Sequence, residues 1–129
     1  MRKAILLMLL AVVSGNAAAE WAEVGGNETI ASYADPATIL KNGDMVTMWT
    51  LFDLKTAGVS AAGKAFLSSK SKNEFDCRRK RRRILYFSWH SGNMGGGELV
   101  ASSLDPDKWA PVARGTVREA LWKFACGKR

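Results

Sequence analysis

One stretch decides the fold, FLSSKSKNEFDCRRKRRRILYFSWH at residues 66–90. It contains two strand-like runs, residues 66–77 and 81–90, separated by only three residues, so the natural connection between them is an antiparallel hairpin. Cys77 ends the first run, and six consecutive cations follow it. These six, called the basic run below, are Arg78, Arg79, Lys80, Arg81, Arg82 and Arg83.

The segments around this hairpin also read mostly as strand. The segment 45–54 is rich in β-branched and aromatic residues and is the clearest strand. Asp35-Pro36 should end a strand, because proline has no amide proton to give to a ladder. Weaker assignments are strands at 21–24, 29–33 and 98–104, one helical turn at 37–40, a tight turn at 42–44 and a loop at 55–64.

A helix is predicted over residues 116–126. Thr116 and Glu119 fit a capping box, in which the Thr hydroxyl accepts from the third residue's amide and the Glu reaches back to the cap's own amide. Val117, Leu121 and Phe124 give the helix one apolar face. The prediction is therefore an α+β fold, an antiparallel sheet of about five or six strands packed against one C-terminal helix.

Residues 1–19 have the features of a cleavable secretory signal peptide. Two basic residues precede an apolar run at 4–13, which is too short to span a membrane, and small residues end at Ala19. The mature chain is then a single domain, residues 20–129. No cysteine follows the apolar run, so we expect an exported protein, periplasmic, secreted or on the cell surface, without a lipid anchor or a transmembrane segment.

The charge of the chain is uneven. The formal net charge of the 129 residues is +7. Residues 20–69 carry three basic and six acidic residues, net −3, whereas residues 70–129 carry fourteen and six, net +8. Such asymmetry predicts an electropositive face that attracts anionic partners.

The two cysteines, Cys77 and Cys126, permit one intrachain disulfide. Thiols in an oxidising compartment are normally paired, and a bridge across so long a loop would stabilise the domain by about 4 kcal/mol. A redox pair or a metal site is the alternative. Redox motifs favour a Cys-x-x-Cys spacing, however, and two Cys with the single His90 fall short of four zinc ligands.

No pattern of residues in the sequence indicates an enzyme, and we expect no catalytic residue, metal site or cofactor. His90 at the end of a strand is expected to be structural. The segment Gly92 to Gly97 resembles a phosphate loop only superficially, because it lacks the Gly-Lys-Ser/Thr ending and opens no helix. It is expected to be a mobile hairpin loop. The sheet side of the core is expected to come from Trp49, Phe52, Tyr86, Phe87 and Trp89.

The basic run has two interpretations. Because side chains of a strand alternate faces, residues 78–80 should form the turn and residues 81–83 should enter the next strand. One interpretation is an anion-binding patch for a sulfated polysaccharide, lipopolysaccharide or an acidic protein segment, with Lys70 and Lys72 as helpers. The other is a solvated charged turn that protects a strand edge. An exported protein rarely meets nucleic acid, which we do not expect as a partner.

Several pieces of the sequence, in this order and spacing, match a known family. They are Glu20-Trp21, Tyr33-x-Asp35-Pro36, the strand 46–54 with Trp49 and Asp53, Phe75-Asp76-Cys77, the loop SGNMG at 91–95, and LWKFACG at 121–127. On these pieces the chain resembles the bacterial surface-adhesin protein E family over nearly the whole mature length. That resemblance implies an antiparallel sheet on a C-terminal helix, a disulfide between Cys77 and Cys126, and binding of host matrix or plasma proteins.

The predicted function is therefore a non-catalytic binding role in the bacterial envelope. The adhesin-like protein would capture host matrix proteins or anionic glycans through the basic run. Two alternatives remain, a periplasmic structural or stress protein, and an inhibitor or accessory of an acidic envelope enzyme.

Overall fold

A computed structural model describes residues 20–127, so the signal peptide expected at 1–19 lies outside the described residues. These residues form one antiparallel sheet and a single α-helix, α1. The elements are β1 (Ala22–Gly26), β2 (Ile30–Asn42), β3 (Met45–Val59), β4 (Ala65–Asp76), β5 (Arg81–His90), β6 (Leu99–Ser103), β7 (Ala110–Pro111) and α1 (Val117–Cys126).

The sheet is a meander in which β1 to β6 pair in sequence order, and β7 adds to the free edge of β5. The hairpin between β4 and β5 forms as the spacing predicts, with Asp76 opposite Arg81. The predicted α+β architecture is confirmed, with seven strands in the described part of the chain in place of five or six. The extra strand is β7, and the segment 98–104 is therefore not the last strand.

The prediction that Asp35-Pro36 ends a strand is wrong. Strand β2 continues to Asn42, and the expected helical turn at 37–40 is a bulge between Asp35 and Leu40. Proline is tolerated there because a bulge leaves residues unpaired. The Thr38 hydroxyl takes over one ladder position, accepting a hydrogen bond of 3.0 Å from the amide of Trp49.

The loop predicted at 55–64 is correct only for residues 60–64, because residues 55–59 belong to β3. Strand β3 runs on to Val59, with a shift in its pairing to β4 between Asp53 and Gly58. The small residues in this region favour a loop by local preference. Gly58 instead allows the Phe66 ring to pack closely against the backbone of β3, since a Cβ atom at position 58 would lie 2.6 Å from that ring.

The core lies between the sheet and α1. Residues opposite one another on neighbouring strands share a face, so Val46 and Phe75 define the face that α1 covers, called the helix face below. The opposite side is called the open face. The helix contributes Leu121 and Ala125, which are buried. The buried core cluster consists of Ala34, Val46, Met48, Phe75, Cys77, Leu121, Ala125 and Cys126.

The expected aromatic core is correct only in part. Phe52 packs against the core cluster, but Trp49 and Tyr86 form an edge-to-face pair with ring centres 5.6 Å apart. Trp49 alternates with the buried Met48 along β3 and therefore lies on the open face. The largest fully buried side chains are Phe75 and Met48, which the expected aromatic set did not include.

The helix begins at Val117 with Thr116 as its N-cap. The Thr116 hydroxyl accepts from the Glu119 amide at 3.2 Å, as predicted. The Glu119 carboxylate accepts from the amide of Gly115, one residue before the cap, and not from the cap's own amide. The helix ends at Gly127, whose φ of 70° is readily adopted only by glycine.

The disulfide between Cys77 and Cys126 is formed, with 5.7 Å between the Cα atoms. It joins the residue after β4 to the last residue of α1. The indole nitrogen of Trp122 donates a hydrogen bond of 3.0 Å to the carbonyl oxygen of Asp76, beside the disulfide. The helix is thus attached to the end of β4 by one covalent and one hydrogen bond.

Candidate functional site

The basic run occupies the turn between β4 and β5 and the first residues of β5, as the alternation argument predicts. Its turn is held by one carboxylate. The Asp76 Oδ1 atom accepts from the backbone amides of Arg78 and Arg79, at 3.1 Å each. Lys80 has a positive φ of 51°, which closes the turn.

The structure does not keep the six cations on one surface. Arg81 and Arg83 lie opposite Asp76 and Glu74 on the open face, while Arg82 lies opposite Phe75 on the helix face. The cause is the alternation of side chains along β5. Arg78 and Arg79 are exposed in the turn, and the other four members are half-buried.

Arg81 and Arg83 form ion pairs across the hairpin. The Arg81 Nε atom lies 3.0 Å from Asp76 Oδ2, and the Arg83 Nη2 atom lies 2.8 Å from Glu74 Oε1. Burial raises the pKa of Asp76, but the hydrogen bonds from the Arg79 amide, the Arg81 guanidinium and the Arg78 amide outweigh burial and hold that pKa below its usual value. Asp76 therefore stays ionised and organises the whole turn.

Trp109 lies against the same two arginines. The guanidinium carbons of Arg81 and Arg83 are 4.4 Å and 4.7 Å from the centre of its ring, within cation–π range. Strand β7 follows immediately and pairs with β5, which places Trp109 there. We call Arg81, Arg83 and Trp109 the Arg–Trp cluster. Sequence reasoning missed Trp109, because its distance in the sequence from the basic run gives no signal of contact.

Lys80 and Arg82 form contacts within the protein. Lys80 forms an ion pair with Glu119 of α1. Arg82 donates a hydrogen bond of 3.1 Å to the side-chain oxygen of Asn73, and its Nε atom is buried without a partner among the described residues. Burial, together with the Arg118 guanidinium, lowers the pKa of Arg82 to about 10, so the side chain is charged at neutral pH. Both members therefore have a structural role, although the Lys80 side chain remains 39% exposed.

The glycine-rich segment 92–97 connects β5 to β6, as expected of a hairpin loop, and hydrogen bonds attach it to the sheet. It contains a short 3₁₀ turn, Asn93–Gly95, and folds onto the open face. The amide of Met94 donates to Asp53 Oδ1 at 2.7 Å, and the amide of Gly95 donates to Ser68 Oγ at 2.8 Å. Leu51, beneath it, is fully buried although it faces away from the helix.

His90 is partnered. Its Nε2 atom lies 2.8 Å from the Ser88 hydroxyl, and burial together with the nearby Lys70 lowers its pKa. Within residues 20–127 there is no group of three or more His, Cys, Asp or Glu side chains arranged to hold a metal ion. No helix in this described part is long and apolar enough to cross a bilayer.

Solved structures of Haemophilus influenzae protein E share this fold. Crystal form II of Haemophilus influenzae protein E has a TM-score of 0.67 at 12% identity, covering 82% of this chain and 86% of that one. A second structure of Haemophilus influenzae protein E gives 0.64 at 13% identity, covering 82% and 83%. Protein E from non-typeable Haemophilus influenzae gives 0.58 at 14% identity, covering 78% and 71%.

No curated protein sequence matches the chain significantly. The profile of the family described as Surface-adhesin protein E matches residues 21–127, which is nearly all of the described chain. The sheet order, the C-terminal helix and the disulfide agree with the fold that the resemblance implied. This chain belongs to the surface-adhesin protein E family.

Proposed function

We propose that this chain is an exported, non-catalytic binding protein of the bacterial envelope that captures anionic partners. Family membership supports a surface adhesin. The partners we propose are sulfated glycans or acidic segments of host matrix and plasma proteins. Capture is electrostatic, and the contact surface is the exposed part of the basic run together with the Arg–Trp cluster.

The observation that carries this proposal is that Arg78 and Arg79 are exposed and, within the described part of the chain, unpaired. Both side chains are exposed, and neither forms an ion pair or a side-chain hydrogen bond with any residue in 20–127. Their backbone amides are held by Asp76. Two guanidinium groups on a fixed turn lose less entropy on binding than two on a disordered tail, and guanidinium matches the geometry of sulfate and carboxylate.

The Arg–Trp cluster supports the proposal in a second way. Arg81 and Arg83 are each paired with an acid, so they add little net charge. Their side chains remain 28% and 33% exposed, and stacking on Trp109 fixes their orientation. They can therefore offer remaining N–H donors to a partner at low entropic cost, beside the unpaired charges of Arg78 and Arg79.

The experiment is chromatography of the purified mature chain on immobilised heparin with a salt gradient. We expect retention that falls with salt, and clearly earlier elution of the double variant Arg78→Ser, Arg79→Ser, because both unpaired charges are removed. The matched control is Lys55→Ser, Lys64→Ser. It makes the same change of charge at two exposed positions near the other end of the sheet.

Two results would overturn the proposal. One is equal elution of the wild type and the Arg78, Arg79 variant. The other is an equal loss of retention in the lysine control, which would mean that net charge and not this surface governs binding. Fractionation of producing cells with protease shaving tests the export and surface location separately.

A further inference from the structure

A cavity of about 200 Å³ lies between the N-terminus of α1 and strands β2 and β3. The basic run contributes no residue to its walls, so the cavity is separate from the surface proposed above. Its lining is mixed, with apolar and hydrogen-bonding side chains. The lining residues are Asn27, Ile30, Ser32, Phe52, Thr116, Val117 and Arg118.

Ser32 supplies a buried group that lacks a partner. The residue is only 1% exposed, and its hydroxyl oxygen has no hydrogen-bond partner among residues 20–127. A buried hydroxyl without a partner destabilises a fold, because its desolvation is not offset by a hydrogen bond. Such a group lining a cavity is therefore available to a ligand that carries a hydrogen-bond acceptor.

The first turn of α1 supplies further donors. The first amides of a helix have no acceptor within it. The Glu119 amide is satisfied by the Thr116 hydroxyl, but this cap leaves the amides of Val117 and Arg118 without an intrahelical acceptor. The aligned peptide dipoles of a helix also place partial positive charge at this end, which favours an anion.

Arg118 adds a full charge. Its side chain is exposed and forms no ion pair with any described residue. The one acid of the first turn, Glu119, is already bonded to Lys80 and to the Gly115 amide. The charge of Arg118 instead acts on a second cation, lowering the pKa of Arg82. Among the described residues, no ion pair therefore neutralises the Arg118 guanidinium.

We propose that this cavity binds a small monocarboxylate. The carboxylate would be held by the first-turn amides of α1, the Arg118 guanidinium and the Ser32 hydroxyl. The apolar part of the ligand would pack on Ile30, Phe52 and Val117. The volume is below the ~300 Å³ at the lower end for drug-sized ligands, so the apolar part must be short or a single ring.

The test is a titration of the mature chain with benzoate, followed by amide chemical shifts in ¹H–¹⁵N NMR spectra. We expect saturable shifts at Ser32, Phe52, Val117 and Arg118. Benzamide has the same ring but no charge, and we expect it to bind at least about tenfold more weakly, since hydrogen bonds to charged groups are the stronger ones. Equal binding of the two compounds, or benzoate shifts that do not saturate, would overturn the proposal.

Three variants locate the site. Arg118→Gln should weaken benzoate binding about tenfold, while Arg114→Gln, an exposed arginine outside the cavity, should leave it unchanged. Ser32→Ala should also weaken binding, without lowering the free energy of unfolding, because it removes a hydroxyl that has no partner. Wild-type benzoate affinity in Ser32→Ala would mean that the hydroxyl serves only a buried water, which contradicts the proposal.

Discussion

Lys80, in the turn after β4, forms an ion pair with Glu119 in the first turn of α1, across 39 residues of sequence. The ammonium group also lies 5.6 Å from the centre of the Trp122 ring. One member of the basic run therefore attaches the hairpin to the helix. The density of cations in this run thus has a structural component, and the charge available to a partner is smaller than the sequence suggests.

Acid should destabilise the protein through Glu119. The hydrogen bond from Lys80, the Gly115 amide and the charge of Lys123 lower the pKa of Glu119 from 4.5 to about 2. Because the folded pKa lies below the unfolded one, this stabilisation is complete above pH 4.5 and is lost as the pH falls through about 2. The lowered pKa of Asp76 acts in the same direction. Melting temperatures measured from pH 7 to pH 2 should change little above about pH 4.5 and fall between about pH 4.5 and pH 2.

The variant Glu119→Gln separates the contribution of Glu119 to this pH dependence from that of Asp76. It should melt at a lower temperature than the wild type at pH 7 and show a shallower decline toward pH 2, because one of the two linked groups is gone. Glu98→Gln changes an exposed side chain and serves as the control, keeping the wild-type profile. A wild-type melting temperature that stays constant between pH 5 and pH 2.5 would contradict this linkage.

Reduction should destabilise the fold strongly. The bridge joins cysteines 49 positions apart, and a loop of this length corresponds to about 4 kcal/mol in the chain-entropy estimate. Urea unfolding with and without dithiothreitol measures the difference. The double variant Cys77→Ser, Cys126→Ser should resemble the reduced wild type and be insensitive to dithiothreitol. An equal unfolding free energy with and without reductant in the wild type would refute the prediction.

The 3₁₀ turn on the open face should depend on Asp53. Its Oδ1 atom accepts from the Met94 amide and from the Asn93 side chain, at 2.7 Å and 3.1 Å. Asp53→Ala removes the acceptor of both hydrogen bonds, so we expect hydrogen exchange at the Met94 and Gly95 amides to become faster while exchange in β3 is retained. Asp105→Ala, in the loop after β6, is the control. Fast exchange at Met94 in the wild type would mean that the turn opens freely.

Trp109 should stabilise the hairpin through the two arginines that it contacts. Trp109→Ala removes both cation–π contacts and should lower the free energy of unfolding by about 1–2 kcal/mol. Trp109→Phe keeps an aromatic face and should lose less. Urea unfolding of the wild type and of both variants under the same conditions measures the differences. Identical stabilities for the alanine and phenylalanine variants would argue against a role for the ring.

Local patterns predicted the elements whose signals are contained within a few neighbouring residues. The β4–β5 hairpin and the helix with its Thr116 cap have such signals, and the cysteine pairing follows because the sequence has only two cysteines. The errors arose where a partner distant in sequence overrides a local preference. Pro36 remains within β2 because the Thr38 hydroxyl replaces a ladder bond at Trp49.

In the candidate site, too, local sequence predicted some features and contacts distant in sequence decided others. The sequence alone determined that residues 78–83 are cationic, that they form a turn and a strand entry, and that Cys77 can pair only with Cys126. Only the tertiary structure decided which cations are available. Alternation along β5 sends Arg82 to the helix face, Glu119 engages Lys80, and Trp109 reaches Arg81 and Arg83 through β7. Charge is a property of each residue, whereas its compensation depends on which distant groups the folded chain brings within a few ångströms.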